Sequence, residues 1–315
     1  MCTAISYHSK QHYFGRNLDI ERNYQEKVII TPRQYLFRYR FLATHPHHYA
    51  IIGIGVIMQE YPLYFDATNE KGVSIAGLNF PHNAHYYDYR STKENVAPFE
   101  LIPYILGTCS SIVEVKKLLR TINIVHCNFS DTLPVTPLHW MICDRECSIV
   151  LECTKEGMKV YEDPYGVLTN NPTFDYHLMN IHNYMSLQEG SANNTLVPNK
   201  ALVNYSLGMG ALGLPGDFSS ASRFVKAVFM KEKSVCGEGE KESVDQFFHI
   251  LLGVAMPKGC VRMPNGEYEY TRYSSCCNTD TKVYYYMTYE DLSIRNVSMY
   301  TIDLDSDTLY EHPIT

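Results

Sequence analysis

The chain has 315 residues, enough for one large domain or two small ones, and either would bury a substantial core. Hydrophobic residues make up 45% and charged residues 19%, a globular rather than a disordered composition. Acidic residues outnumber basic ones, 34 to 27, and the net charge of −7 argues against nucleic acid or an anionic membrane as the main partner. No apolar run reaches the length of a membrane span, and "YAIIGIGVIM" reads as a buried strand. The N-terminus lacks the charged-then-apolar signal pattern, so a cytoplasmic location is expected. The ten cysteines include no CxxC pair, and in a reducing compartment most are expected to be small buried hydrophobes. "HPHH" (His45 to His48) offers metal-ligand residue types but sits in a polar link, and no HExxH motif occurs, so no metal is expected.

In chain order, the first segment predicts a hairpin: "CTAISYH" alternates, "SKQ" turns and "HYFGRNLD" returns. Cys2 starts the first strand, and Arg16 and Asp19 lie near the end of the second. Strands follow in "YAIIGIGVIM" and "GVSIAGLNF", the latter reached through the turn-like "NEKG". "APFELIPYILGTC" and "SSIVEVKKLLRTI" predict helices; Ser111 and Glu114 form a capping-box pattern, and Val115, Leu118, Leu119 and Ile122 share one face. "LHWMICD", "CSIVLEC" and "MKVYE" predict a meander, and "GVLTNNP" a strand ending at Asn170 and Asn171 before Pro172. "TFDYHLMNIHNYMSL" is helix-like, and a Gly- and Asn-rich loop leads to "GMGALGLPGD". "SSASRFVKAVFMKEK", capped by Asp217 or Ser219, and "SVDQFFHILLGVAM" predict two more helices. "KVYYYMTYE" and "NVSMYTIDL" return to strands. This order suggests antiparallel sheets covered by helices, an α+β fold. No repeat or long linker divides the chain, so a single domain over residues 1–315 is expected.

Cys2 directly follows Met1. It is either an ordinary residue of a buried strand or, once an aminopeptidase removes Met1, a residue carrying both a thiol and a free α-amine. The unperturbed pKa values of such groups, about 7.7–8.0 for the amine and about 8.5 for the thiol, are close enough for the amine to take the thiol proton near neutral pH. A histidine-dependent thiol protease is the competing scheme; the thirteen histidines supply candidates, but none stands in a recognisable signature.

"MCTAISY", "FGRNLD", "NEKGVSIAGLNFP", "GVLTNNPTFDYH" and "GLPGDFSSASRF" stand in order and well spaced. Together they closely resemble the choloylglycine hydrolase family, the bile salt hydrolases and penicillin V acylases. Weaker similarity continues through "LHWMICD", "FFHILLGVAM" and "YTRYSSCCN". The resemblance implies the four-layer αββα sandwich of N-terminal nucleophile hydrolases, two antiparallel sheets between helix layers. It implies Cys2 as nucleophile and Asp19 as holder of the α-amine. Arg16 and Arg223 would bring positive charge to the sulfur, Asn79 would donate to the oxyanion, and Asn171 would orient amine and substrate. Asn170 stands one position away. Each has a plainer alternative, such as a surface ion pair for Arg16 with Asp19 or a turn for Asn171. No cofactor is implied. The implied substrates are conjugated bile salts, because Asn79 stands where penicillin V acylase-like members tend to have Tyr. Ile20, Phe65, Ala67 and Leu133 lie in segments matching substrate-facing segments of the family. "SLGMGALG" is expected near the leaving group. The resemblance also implies a homotetramer. A catalytically silent binding protein is the alternative if Met1 is retained.

Overall fold

The computed structural model describes residues 1–44 and 47–314, so His45 and Pro46 of the histidine-rich link lie outside the described residues. The strands are β1 (Cys2–His8), β2 (His12–Ile20), β3 (Lys27–Thr31), β4 (Ile51–Met58), β5 (Tyr61–Asn69), β6 (Ser74–Asn79), β7 (Glu94–Val96) and β8 (Ile122–Ile124). They continue with β9 (Leu138–Cys143), β10 (Ser148–Thr154), β11 (Gly157–Glu162), β12 (Val167–Leu168), β13 (Val261–Arg262), β14 (Tyr268–Asn278), β15 (Val283–Thr288), β16 (Arg295–Ser298) and β17 (Tyr310–Pro313). The helices are α1 (Leu101–Thr108), α2 (Ile112–Leu119), α3 (Phe174–Asn180), α4 (Ser220–Lys233) and α5 (Glu240–Leu252).

Two antiparallel sheets dominate. One runs β12-β1-β2-β14-β15-β16 with β13 paired to β14; the other runs β11-β10-β9-β6-β5-β4-β3-β17. Period-2 alternation assigns the two faces of the second sheet. Val28, Ile30, Ile52, Ala76, Leu78 and Met141 join the core shared with the first sheet. Their neighbours Ile29, Ile51, Ile75, Trp140 and Ile142 form a second core with α1 and α2. On the far side, α4 packs against β1 and β12, and α5 against β2 and β14. The layers are therefore helix, sheet, sheet, helix, as the sequence implied.

Local chemistry explains the boundaries. Ser111 caps α2 by accepting from Glu114 N at 3.4 Å, whereas the Glu114 carboxylate turns to Ser110 N at 2.7 Å, so the expected capping box is displaced by one residue. Ser219 caps α4, and Asp217 braces it by accepting from Ser222 Oγ at 2.6 Å. The strands β3, β5 and β14 go beyond the sequence expectations. The last occupies the centre of its sheet, paired with β2 and β15.

Two irregularities interrupt the ladders. The β2–β14 register passes from Asp19↔Thr271 to Leu18↔Tyr273, leaving Arg272 as an extra residue. The β4–β5 register passes from Ile54↔Asp66 to Gly55↔Tyr64, leaving Phe65 extra. Such bulges re-aim side chains. Close approach of β14 also fixes Gly15, where an added Cβ would lie 1.9 Å from the Ser275 carbonyl oxygen. Gly15→Ala is expected to destabilise the fold by about 1–3 kcal/mol or more through overpacking. A lowered urea midpoint checks this, and an unchanged one would show that the two strands can separate.

Candidate active site

The β1–β2 hairpin pairs Cys2 with Leu18 and Ala4 with Arg16, so Cys2, Arg16 and Asp19 gather at one end of the first sheet. All three are buried. Met1 extends the ladder: its N donates to Asp19 O at 2.7 Å and its O accepts from Asp19 N at 3.0 Å. The Met1 ammonium also meets Glu269 Oε1 at 2.6 Å.

The asparagine that receives Cys2 is Asn170, not Asn171. Asn170 Oδ1 accepts from Cys2 N at 2.8 Å and from Arg223 Nη2 at 2.7 Å, and its Nδ2 donates to Asn79 O at 2.7 Å. Asn171 points elsewhere, its Nδ2 donating to Pro81 O and Asn83 Oδ1, both at 2.6 Å. The reason is where β12 ends. Its ladder to β1 stops at Leu168, which leaves residue 170 beside the start of β1.

Arg223 reaches the same point from the first turn of α4. Its Nη1 donates to Cys2 O and, at 2.7 Å, to Thr3 Oγ1, while Nε donates to Phe218 O at 3.0 Å. It thus grips the backbone of the nucleophile candidate. Arg16 crosses to the other sheet, where Nη1 donates to Phe65 O at 3.0 Å and Gly77 O at 2.5 Å. The Phe65 bulge frees that carbonyl. Arg16 Nη2 is buried without a hydrogen-bond partner. Burial disfavours the Arg16 cation, but Cys2, Tyr273, Asp66 and Asp19 around it outweigh burial and raise its pKa. Burial lowers that of Arg223, against the pull of Asp19 and Cys2.

Asp19 Oδ1 accepts from Thr271 Oγ1 at 2.6 Å, a contact aimed by the β14 bulge, while Oδ2 is buried and unpartnered. Burial raises the Asp19 pKa, opposed first by the N-terminal ammonium and then by Arg223. Asp66, absent from the sequence expectations, accepts from Tyr273 Oη at 2.7 Å, Ser275 Oγ at 3.1 Å and Tyr284 Oη. Its signal in the sequence, an acid within an apolar strand, is legible only once β5 is recognised.

A cavity of about 390 Å³ opens over this centre, lined by Cys2, Arg16, Ile20, Phe65, Asn79 and Leu133 among others. Its size suits a small-molecule site. A larger groove of about 540 Å³, over Tyr87, Arg90 and Lys116, contains none of these residues. Ala67 lines no part of the smaller cavity and packs into the helix-side core, because the bulge at Phe65 reverses the phase of β5. The segment 206–213, expected near the leaving group, does not line it either; there Leu207 is exposed and Gly210 bonds to Gly190 and Gln188.

A model of linear amide C–N hydrolases, the choloylglycine hydrolase family, matches residues 2–311. The chain belongs to this family. It is 52% identical over 314 residues, 100% of this chain and 97% of its relative, to a bile salt hydrolase/transferase of Lactiplantibacillus plantarum. It is 40% identical over 313 residues, 98% of each chain, to a conjugated bile acid hydrolase of Lactobacillus gasseri. The solved structure of a mutant conjugated bile acid hydrolase from Clostridium perfringens superposes with a TM-score of 0.92 at 36% identity, covering 100% of this chain and 97% of that one. A penicillin V acylase from Agrobacterium tumefaciens shares the fold, with a TM-score of 0.77 at 20% identity over 98% of this chain and 90% of that one. Membership makes this protein an amidohydrolase acting on linear amides. Among the described residues no helix is long and apolar enough to cross a membrane.

Burial pushes the His177 pKa down from 6.5 to about 4, so the folded protein holds this ring neutral. Between those values the unfolded chain binds a proton that the folded chain refuses. The stability present above pH about 6.5 is therefore lost progressively as pH falls to about 4. Urea midpoints at about pH 7 and about pH 4.5 are expected to differ less in His177→Gln than in the parent. An equal difference would place the acid sensitivity elsewhere.

Proposed function

We propose that the protein hydrolyses the amide bond of glycine- or taurine-conjugated bile acids through a thioester on Cys2. The observation carrying this reading is that Cys2, Arg16 and Asn79 line one cavity together with apolar side chains such as Ile20, Phe65 and Leu133. Similarity over the full chain to a bile salt hydrolase/transferase supports the substrate class.

Removal of Met1 turns Cys2 N from an amide into an α-amine. Asn170 Oδ1, 2.8 Å away, is placed to accept from it, and Asp19 supplies a neighbouring carboxylate with an unpartnered oxygen. The amine takes the thiol proton, and the sulfur attacks the amide carbonyl. Negative charge grows on the carbonyl oxygen, where the Asn79 side chain donates. The ammonium passes its proton to the departing nitrogen, glycine or taurine leaves, and an acyl thioester remains. Water, deprotonated by the same amine, then releases the free bile acid.

The apolar walls favour a sterol over the smaller phenoxymethyl group of penicillin V, at about 25 cal/mol per Å² of apolar surface buried. Binding energy remote from the amide then helps hold the carbonyl over the sulfur. kcat/KM is expected to be higher for glycocholate or taurocholate than for penicillin V on one preparation. The reverse order against both bile salts would reassign the substrate.

Cys2→Ala should abolish turnover with the fold intact, and Cys2→Ser should be far slower because an alcohol resists deprotonation. Asn79→Ala is expected to lower kcat by about 10²–10³ through loss of one oxyanion donor. Release of glycine or taurine, followed with ninhydrin, reads all three. Parent-like activity of Cys2→Ala would end the mechanism. An N-terminal extension, shown by intact mass to be uncleaved, should silence the enzyme with Cys2 present, since an acylated nitrogen is no base; full turnover would contradict the role of the amine.

A further inference from the structure

We propose that two buried histidines, His139 and His177, are positioning residues for Asn170, and that Glu152 joins them into one clamp. The inference rests on the reading of Cys2 as nucleophile. Residues 169 and 170 follow the last ladder pair of β12, so their buried carbonyls have no strand partner. Buried carbonyls need donors. His139 Nε2 donates to Thr169 O and His177 Nε2 to Asn170 O, each at 3.0 Å; a carbonyl only accepts, which fixes both rings as Nε2–H donors.

The rings are themselves fixed. His139 stacks on Phe80 with centroids 4.2 Å apart, and its Nδ1 meets Glu152 Oε1 at 3.1 Å. The same oxygen accepts from Phe174 N at 3.0 Å, at the start of α3, the helix that carries His177. His177 stacks on Phe224 of α4, next to Arg223. The two histidines therefore approach residues 169–170 from β9 and α3, and one carboxylate ties those elements together. In register, His139 lies opposite Leu78, the residue before Asn79. The clamp thus holds Asn170 in fixed relation to Cys2, Arg223 and the oxyanion donor candidate. None of its members lines the cavity.

Catalysis of this kind is sensitive to misplacement of about 1 Å, which can cost about 10²-fold. The test compares His→Gln with His→Asn at each position. The Gln amide nitrogen reaches roughly where Nε2 stood; the shorter Asn amide does not. The Asn variants are expected to lose about 10- to 100-fold in kcat for glycocholate with little change in KM; Gln is expected to recover most of it at position 177 and part of it at position 139, where the contact with Glu152 is also lost. Asn variants with parent-like kcat, or Gln variants as impaired as Asn, would overturn the clamp. Should the Asn variants fail to fold, as judged by near-UV circular dichroism, the Gln variants decide alone: retained kcat supports the clamp and collapsed kcat overturns it. Alkylation of Cys2 by iodoacetamide, counted by mass, needs no substrate and separates this inference from the reading beneath it. Slower alkylation in the Asn variants supports the clamp, and an unchanged rate overturns it, whichever amide the parent hydrolyses. Turnover by Cys2→Ala would instead sink the nucleophile assignment.

Discussion

Four ionisable side chains, Arg16, Asp19, Asp66 and Arg223, are withdrawn from water around the meeting of the two sheets, and the site depends on their being satisfied there. An isolated charge in such a place is prohibitively costly, and a paired one is tolerated only when its remaining donors and acceptors are met. The structure meets most of them with backbone and hydroxyl groups. Arg16 is held by two carbonyls of the opposite sheet, Asp66 by two tyrosines and a serine, and Arg223 by Cys2 O, Thr3 and Asn170. Arg16 Nη2 and Asp19 Oδ2 are left over. They belong to the two side chains that flank Cys2, where a nascent charge and a free amine would have to be received. The proposed chemistry has a use for both atoms.

The same centre explains the bulges. A regular β5 would turn Phe65 and Asp66 to opposite faces. The extra residue lets Phe65 line the cavity while Asp66 faces Tyr273 and Tyr284. In β14 the extra residue brings Thr271 opposite Asp19. Regular pairing supplies the frame, and its two local interruptions aim the side chains.

These interruptions also limit how much of the site a linear sequence can disclose. The hairpin carrying Cys2, Arg16 and Asp19 is legible because alternation and a polar turn are strong local signals. The amphipathic helices are legible from their periodicity, although Ile122, read onto the apolar face of α2, lies beyond its end at Leu119 and begins β8. β14 is not, because "TRYSSCCN" is rich in small polar residues whose burial depends on partners far away, such as Asn17 for Ser274 and Asp66 for Ser275. Ala67 is misplaced by a sequence reading because a bulge reverses strand phase without altering composition. Asn170 and Asn171 are chemically identical neighbours, and only the point at which β12 leaves β1 separates them. Asp66 and the histidine clamp escape notice because their roles exist only across the sheets.

Passage of the acyl group through the sulfur of Cys2 is the step on which all the other roles turn, and covalent trapping can catch it in the act. Acid quenching during turnover of glycocholate, followed by proteolysis and mass analysis, should show the bile acyl group on the N-terminal peptide, attached at Cys2 and removable by hydroxylamine as a thioester. An acyl adduct on any other residue, or an unmodified Cys2 in a quench shown to preserve thioesters while acyl release is rate-limiting, would contradict it.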